Sequence, residues 1–175
     1  MKGMKRVVPV LLLAALGFGP AFGQTSALKG HNSNAPVDVA ADRIEVQDRA
    51  DRAIFSGNVV VRQAALTLTA ARITVAYSSG GGVELRRIDA TGGVTVKSPS
   101  ETARGNVGIY DLDRRIVTLI GDVSLVQRDA RVNGGRLTID LDSGRAVMDG
   151  GGPPGTTRQG GRVTGTFTVP QKKGG

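Results

Sequence analysis

Two acidic triplets, Asp111-Leu112-Asp113 and Asp140-Leu141-Asp142, carry paired carboxylates of the kind a glycosidase acid and base or a Ca²⁺ site would use. A Ca²⁺ loop needs about six or more oxygen ligands, and this spacing supplies too few. The triplets also recur 29 residues apart, each followed closely by an Arg-x-Val, at Arg115 to Val117 and Arg145 to Val147. One hairpin turn repeated twice would give this pattern, with Asp favoured because its side chain bonds the backbone of the turn. The single histidine, His31, sits in a polar leader with nothing to orient it for acid-base work or metal binding, and it is expected to be solvated. Gly80-Gly81-Gly82 precedes neither a helix nor a Lys-Ser or Lys-Thr, so it reads as a loose hairpin loop rather than a phosphate cradle. Cysteine is absent, which excludes thiol chemistry, thiolate metal sites and disulfides. The expectation is a protein that is not an enzyme, with no catalytic residue, cofactor or metal.

What these residues sit on is a repeat. Ile54-Phe55-Ser56-Gly57-Asn58-Val59 returns as Ala90-Thr91-Gly92-Gly93-Val94, as Leu119-Ile120-Gly121-Asp122-Val123, and in degenerate form as Val147-Met148-Asp149-Gly150. A second fragment alternates with it, and its anchors Ile44, Ile73, Val107 and Leu137 lie 29, 34 and 30 residues apart. A period of this size means stacked units of about two strands that bury their apolar faces against neighbours. Between Val37 and Met148, segments of alternating β-branched and polar residues are separated by turn clusters, which predicts about eight or nine strands and an all-β sandwich or roll. Gly57, Gly92 and Gly121 are expected to mark a bend or bulge in each unit. Asn133-Gly134 is a hairpin signal, but the repeat register puts it inside a strand, and the register is followed.

Composition bounds the rest. The basic start (Lys2, Lys5, Arg6), the apolar run to Leu16 and the small residues before Gln24 read as a secretory signal over 1–23, too short and too interrupted to span a bilayer. A flexible polar leader is expected over 24–35, one domain over 36–150, and a Gly/Pro-rich segment over 151–175 with a possible last strand over 162–169. Losing the three signal cations takes the 23 basic residues to 20 against 15 acidic ones, a net charge of +5. A positive surface favours anionic partners, and export argues against nucleic acid.

Strand alternation assigns faces. Val59 and Val61, Val94 and Val96, and Val123 and Leu125 point inward as aliphatic rows, with few aromatics among them: Phe55, Tyr77, Tyr110 and Phe167 are all that follow the signal. Such rows suit a long aliphatic groove or an ordinary closed β core.

The signal, the Pro36-Val37-Asp38-Val39-Ala40-Ala41-Asp42 opening, the Phe55-Ser56-Gly57-Asn58-Val59 box followed by Leu66 to Ile73, and the Ile120-Gly121-Asp122-Val123 box together resemble the LptA/OstA-like family of periplasmic lipopolysaccharide-transport proteins. The resemblance runs from about Pro36 to Met148. It implies an antiparallel β-jellyroll with an open-ended apolar groove that shields the acyl chains of lipopolysaccharide. It also implies head-to-tail stacking through edge strands into a homo-oligomeric bridge between inner-membrane and outer-membrane components of the machinery. Matched to the family, Val37, Val96, Tyr110 and Leu112 would line the groove. Other readings of the same sequence are a membrane-tethered inner-membrane relative and a secreted β-sandwich that serves as a scaffold or binds glycans; the absence of Trp counts against a glycan platform.

Overall fold

A computed structural model describes residues 31–151 and 161–168. The signal expected over 1–23 lies outside them. Ten strands are present among the described residues: β1 (Val37–Ala40), β2 (Arg43–Gln47), β3 (Arg52–Gln63), β4 (Leu66–Ser78), β5 (Glu84–Lys97), β6 (Glu101–Asp111), β7 (Ile116–Gln127), β8 (Ala130–Asp140), β9 (Ala146–Asp149) and β10 (Thr164–Thr166). This is one or two more than the turn count predicts, because β1 and β2 are two short pieces either side of Ala41-Asp42 that both pair with β3. β9 and β10 likewise both pair with β8.

Every adjacent pair is antiparallel, and β1-β3-β4-β5-β6-β7-β8-β10 form one continuous sheet. The sheet is folded over on itself. Register shifts interrupt pairing at Ser56/Val59, Thr69/Arg72, Thr91/Val94, Arg104/Val107 and Ile120/Val123, so each long strand turns a corner at its middle. On β3, β5 and β7 the corner is a left-handed pair, Gly57-Asn58, Gly92-Gly93 and Gly121-Asp122, with φ of 80 and 45, 83 and 80, and 81 and 46 degrees. Gly, Asn and Asp are the residues that reach this region at least cost, so the repeated box is a corner signal two residues long. In the fourth, degenerate box the left-handed residue is Gly151, one position past the expected Gly150. Asn58 donates from Nδ2 to Asp42 Oδ2 at 2.9 Å and Asn106 donates to Asp122 Oδ2 at 3.1 Å, tying neighbouring corners together.

Two layers result. The upper layer contains β1, residues 59–63, 66–70, 94–97, 101–105, 123–127 and 130–134, and β10; the lower contains β2, residues 52–56, 72–78, 84–91, 107–111, 116–120 and 136–140, and β9. Asn133 and Gly134 lie inside β8, paired with Ser124 and Val123, as the repeat register requires.

The core sits between the layers. Val59, Val94 and Val123 above meet Ile73, Ile88, Leu119, Leu137 and Ile139 below, each no more than 2% exposed. Burying a side chain of this size contributes about 1.5–3 kcal/mol. The layers approach closely: a methyl added at Gly108 below would lie 2.9 Å from Val94 Cγ1 above.

The acidic triplets are turns. Asp111 Oδ1 accepts from Arg114 N at 2.9 Å, and Asp140 Oδ1 accepts from Asp142 N at 3.0 Å and Ser143 N at 2.9 Å. The second Asp of each triplet pairs with an Arg of the preceding unit, Arg86 with Asp113 at 2.7 Å and Arg115 with Asp142 at 3.0 Å. Leu112 N donates to Arg86 O and Leu141 N to Arg115 O, both at 3.0 Å, so successive turns are bonded in series.

Candidate functional site

Because the corners join the layers along one side only, the opposite side is a seam. One lip is the turns after β3, β5 and β7, and the other is the turns after β2, β4, β6 and β8. At the β1/β2 end the interior is open. A cavity of 660 Å³ lies there, walled by Val37 and Val39 from above and by Val46, Ala53, Phe55 and Val75 from below, with Tyr77, Val83 and Leu85 toward the seam. β2 explains the opening. Its Ile44 and Val46 pair with Phe55 and Ala53 and so face inward, yet each is 57% exposed because no strand lies beyond them. The volume falls in the range of small-molecule pockets.

At the other end, Leu125, Val132, Leu137, Ala146 and Met148 enclose a smaller cavity of 90 Å³, closed toward the seam by Glu101 and Gln127. Gln127 donates from Nε2 to Glu101 Oε1 at 2.6 Å, and Glu101 N donates to Ser98 Oγ at 3.2 Å. Between the two cavities the interior is packed and aliphatic.

The nine positions expected to line a lipid path divide accordingly. Val37 walls the large cavity and Leu125 the small one. Val59, Val61, Val94, Val96 and Val123 are in the packed middle, at most 5% exposed. Tyr110 is buried at the seam, and Leu112 lines a polar cleft beside it with Val37, Gln63 and Arg115. All nine face the interior or pack against it, and the five valines between the two ends form a closed core. Val39, Val46, Phe55 and Leu85 were not singled out by sequence, although their alternation with polar neighbours on β1, β2, β3 and β5 carries the same signal.

Gln63 was also not singled out. It occupies the next inward position after Val61 and is 4% exposed. Its Nε2 donates to Ser33 O at 2.9 Å and Ala35 O at 3.0 Å, while its Oε1 meets His31 Nε2 at 3.1 Å and accepts from Tyr110 Oη at 3.4 Å. Residues 31–35 therefore form a turn strapped across the seam, with Ser33 N donating to His31 O and Ala35 N to Asn32 O. The sequence expectation of a solvated His31 is corrected: the ring is half-buried against Gln63. Burial raises the Tyr110 phenol above its ordinary value, opposed by its contact with Ser33 and the charge of Arg115. Among the described residues no cluster of His, Asp and Glu has the makings of a metal site.

Comparison with known proteins agrees with this architecture. The chain is 30% identical over 154 residues to an uncharacterized protein of Rhizobium meliloti, covering 78% of this chain and 83% of that one. It is 29% identical over 125 residues to the LPS-assembly protein LptD of Yersinia pestis, covering 70% of this chain but only 16% of LptD. It is 22% identical over 125 residues to the lipopolysaccharide export system protein LptA of Haemophilus influenzae, covering 68% of this chain and 73% of that one. The crystal structure of LptH, the LptA-homologous periplasmic component from Pseudomonas aeruginosa, shares the fold with a TM-score of 0.68 at 19% identity, over 79% of this chain and 99% of LptH. The model of the LptA/(LptD N-terminal domain) LPS transport proteins matches residues 38–145, the two-layered roll from β1 to the turn before β9, and the chain belongs to that family.

Proposed function

We propose that this protein is a periplasmic carrier that holds the acyl chains of lipopolysaccharide between its two layers while the sugars and phosphates remain in water, and so bridges the inner and outer membranes during transport. The observation that carries this reading is the apolar cavity at the β1/β2 end, continuous with an aliphatic interior. Each acyl CH₂ kept from water is worth about 0.8 kcal/mol, so a lipid with several chains cannot cross an aqueous space unshielded. Chains would enter beside Val37 and Phe55 and advance along Val59, Val61, Val94, Val96, Tyr110, Leu112, Val123 and Leu125 as the layers part. The signal over 1–23 would direct the chain to the periplasm and be cleaved there.

The ends of the roll support stacking. β1 and β2 at one end and β9 and β10 at the other each leave one edge unpaired among the described residues, and an unpaired edge accepts another strand. A contact between unlike ends is heterologous, and without a closing rotation copies would extend head to tail toward the membrane components of the machinery.

A photoreactive residue placed at Phe55 or at Val96, with outward-facing Val60 as control, tests the reading. Crosslinking to added lipopolysaccharide at both inward positions and not at Val60 is expected. Crosslinking at none of the three in folded protein, or equally at all three, would overturn it.

A further inference from the structure

The outer face of the upper layer is charged unlike that of the lower layer. Its outermost row runs across the strands in register: Arg62 is opposite Thr67, Thr67 opposite Lys97, Lys97 opposite Thr102, and the row continues through Val126 to Arg131. Arg104 projects from the next row, opposite Thr95 and Ser124. All four cations are exposed, and none forms a salt bridge with a described residue. In these two rows the described residues supply a single carboxylate, Asp38, at the β1 edge. The outer face of the lower layer instead mixes its cations with Glu45, Asp89, Asp111 and Asp140.

Position adds to charge. Arg62, Lys97 and Arg131 each stand one or two residues from the turns that form the upper lip of the seam. At about 4.8 Å per strand they are separated by about 10 and 14 Å, with Thr67 and Thr102 hydroxyls between. Adjacent strands rotate by about 20 degrees, so a row crossing from β3 to β8 cannot lie flat on a bilayer but can follow a flexible polyanion. We infer that this face docks the phosphorylated oligosaccharide of the glycolipid whose acyl chains lie inside, as that oligosaccharide leaves the seam and folds back over the upper lip. The inference rests on the carrier reading above and names the surface that holds the polar half of the cargo.

The test uses the phosphorylated oligosaccharide freed of its acyl chains, titrated into the ¹⁵N-labelled protein at low salt. Amide shifts are expected around Arg62, Lys97 and Arg131. They should vanish with the dephosphorylated oligosaccharide, and the triple variant Arg62→Gln, Lys97→Gln, Arg131→Gln should bind at least about tenfold more weakly with a shallower salt dependence. The matched variant Arg43→Gln, Arg72→Gln, Arg136→Gln removes an equal charge from a row of the lower layer and should titrate like the parent. Equal losses in both variants, shifts that persist without phosphate, or binding only to anionic phospholipid vesicles would overturn the inference. Crosslinking at Phe55 and Val96 keeps the two readings apart. If it fails while the oligosaccharide still binds the upper face, the interior reading falls alone; if it succeeds in the triple variant and the parent shows no oligosaccharide binding, the docking face falls alone.

Discussion

Tyr110 in the lower layer donates its hydroxyl to Gln63 Oε1 in the upper layer at 3.4 Å, so one hydrogen bond crosses the seam at a point where both residues are buried. The same amide holds the 31–35 turn through two backbone carbonyls. A position that alternation reserves for an apolar side chain is thus given to a residue that can satisfy the phenol and the strap together.

Replacing Gln63 tests this role. Gln63→Leu keeps bulk but strands the Ser33 and Ala35 carbonyls and takes one partner from the Tyr110 hydroxyl, at a cost of about 1–3 kcal/mol. Tyr110→Phe leaves Gln63 its other partners and should cost about 1 kcal/mol. Denaturant unfolding measures both. Amide exchange at Ser33 and Ala35 should quicken about tenfold or more in Gln63→Leu, and unchanged exchange there would mean the strap is held by something else.

Gly108 sets how closely the layers pack. A side chain there meets Val94 Cγ1 at 2.9 Å and Leu119 Cδ2 at 3.2 Å. Gly108→Val is expected to destabilise by about 1–3 kcal/mol through overpacking. Gly80→Ala, with nothing within 4 Å of the added methyl, should change stability by no more than about 0.5 kcal/mol. Thermal unfolding of the pair checks the contrast.

Inward valines are not equivalent. Val96 is 3% exposed between Leu68 and Ala103, and Val46 is 57% exposed at the cavity mouth. Val96→Asp buries a carboxylate with no partner, costs several kcal/mol and unfolds the roll. Val46→Asp is expected to fold like the parent while binding lipopolysaccharide at least about tenfold more weakly. Circular dichroism and a lipid-displacement assay on the two variants give the answer.

Acid sensitivity is expected from the turn between β8 and β9. The Asp140 carboxyl is held below its ordinary value, foremost by the Ser143 N–H it accepts, with the Asp142 N–H and Arg145 adding to this and burial opposing it. A depressed folded value contributes stability above the ordinary aspartate value of about 4, and that contribution is lost as pH falls through the folded value. Asp140→Asn should therefore narrow the drop in urea midpoint between neutral pH and about pH 3. A drop as steep as the parent's would locate the sensitivity elsewhere.

Much of the roll was legible because it repeats. The corner glycines, the hairpin role of the Asp-Leu-Asp triplets and the strand setting of Asn133-Gly134 all follow from register, which a period makes visible several times over. The second corner residues, Asn58, Gly93 and Asp122, were present in the same boxes and carry the left-handed signal by residue type. Gln63 and His31 were not legible. Their bond joins residues 32 apart, and nothing local distinguishes a leader that packs from one that does not. Alternation also tells which side of a strand faces inward but not how far away the opposing layer lies. For that reason Val37, at an open end, and Val96, in a packed middle, looked alike.

The corner column has a mechanical meaning. Since every long strand passes from one layer to the other through its own corner, and the ladder bonds lie within each layer on either side, the roll is built like a book bound along Gly57, Gly92 and Gly121. Widening it asks for rotation at the spine and release of the Gln63–Tyr110 clasp at the fore-edge, while the pages stay whole. On the carrier reading, such a design would admit thicker or thinner cargo by changing one angle, with the same backbone hydrogen bonds open or shut.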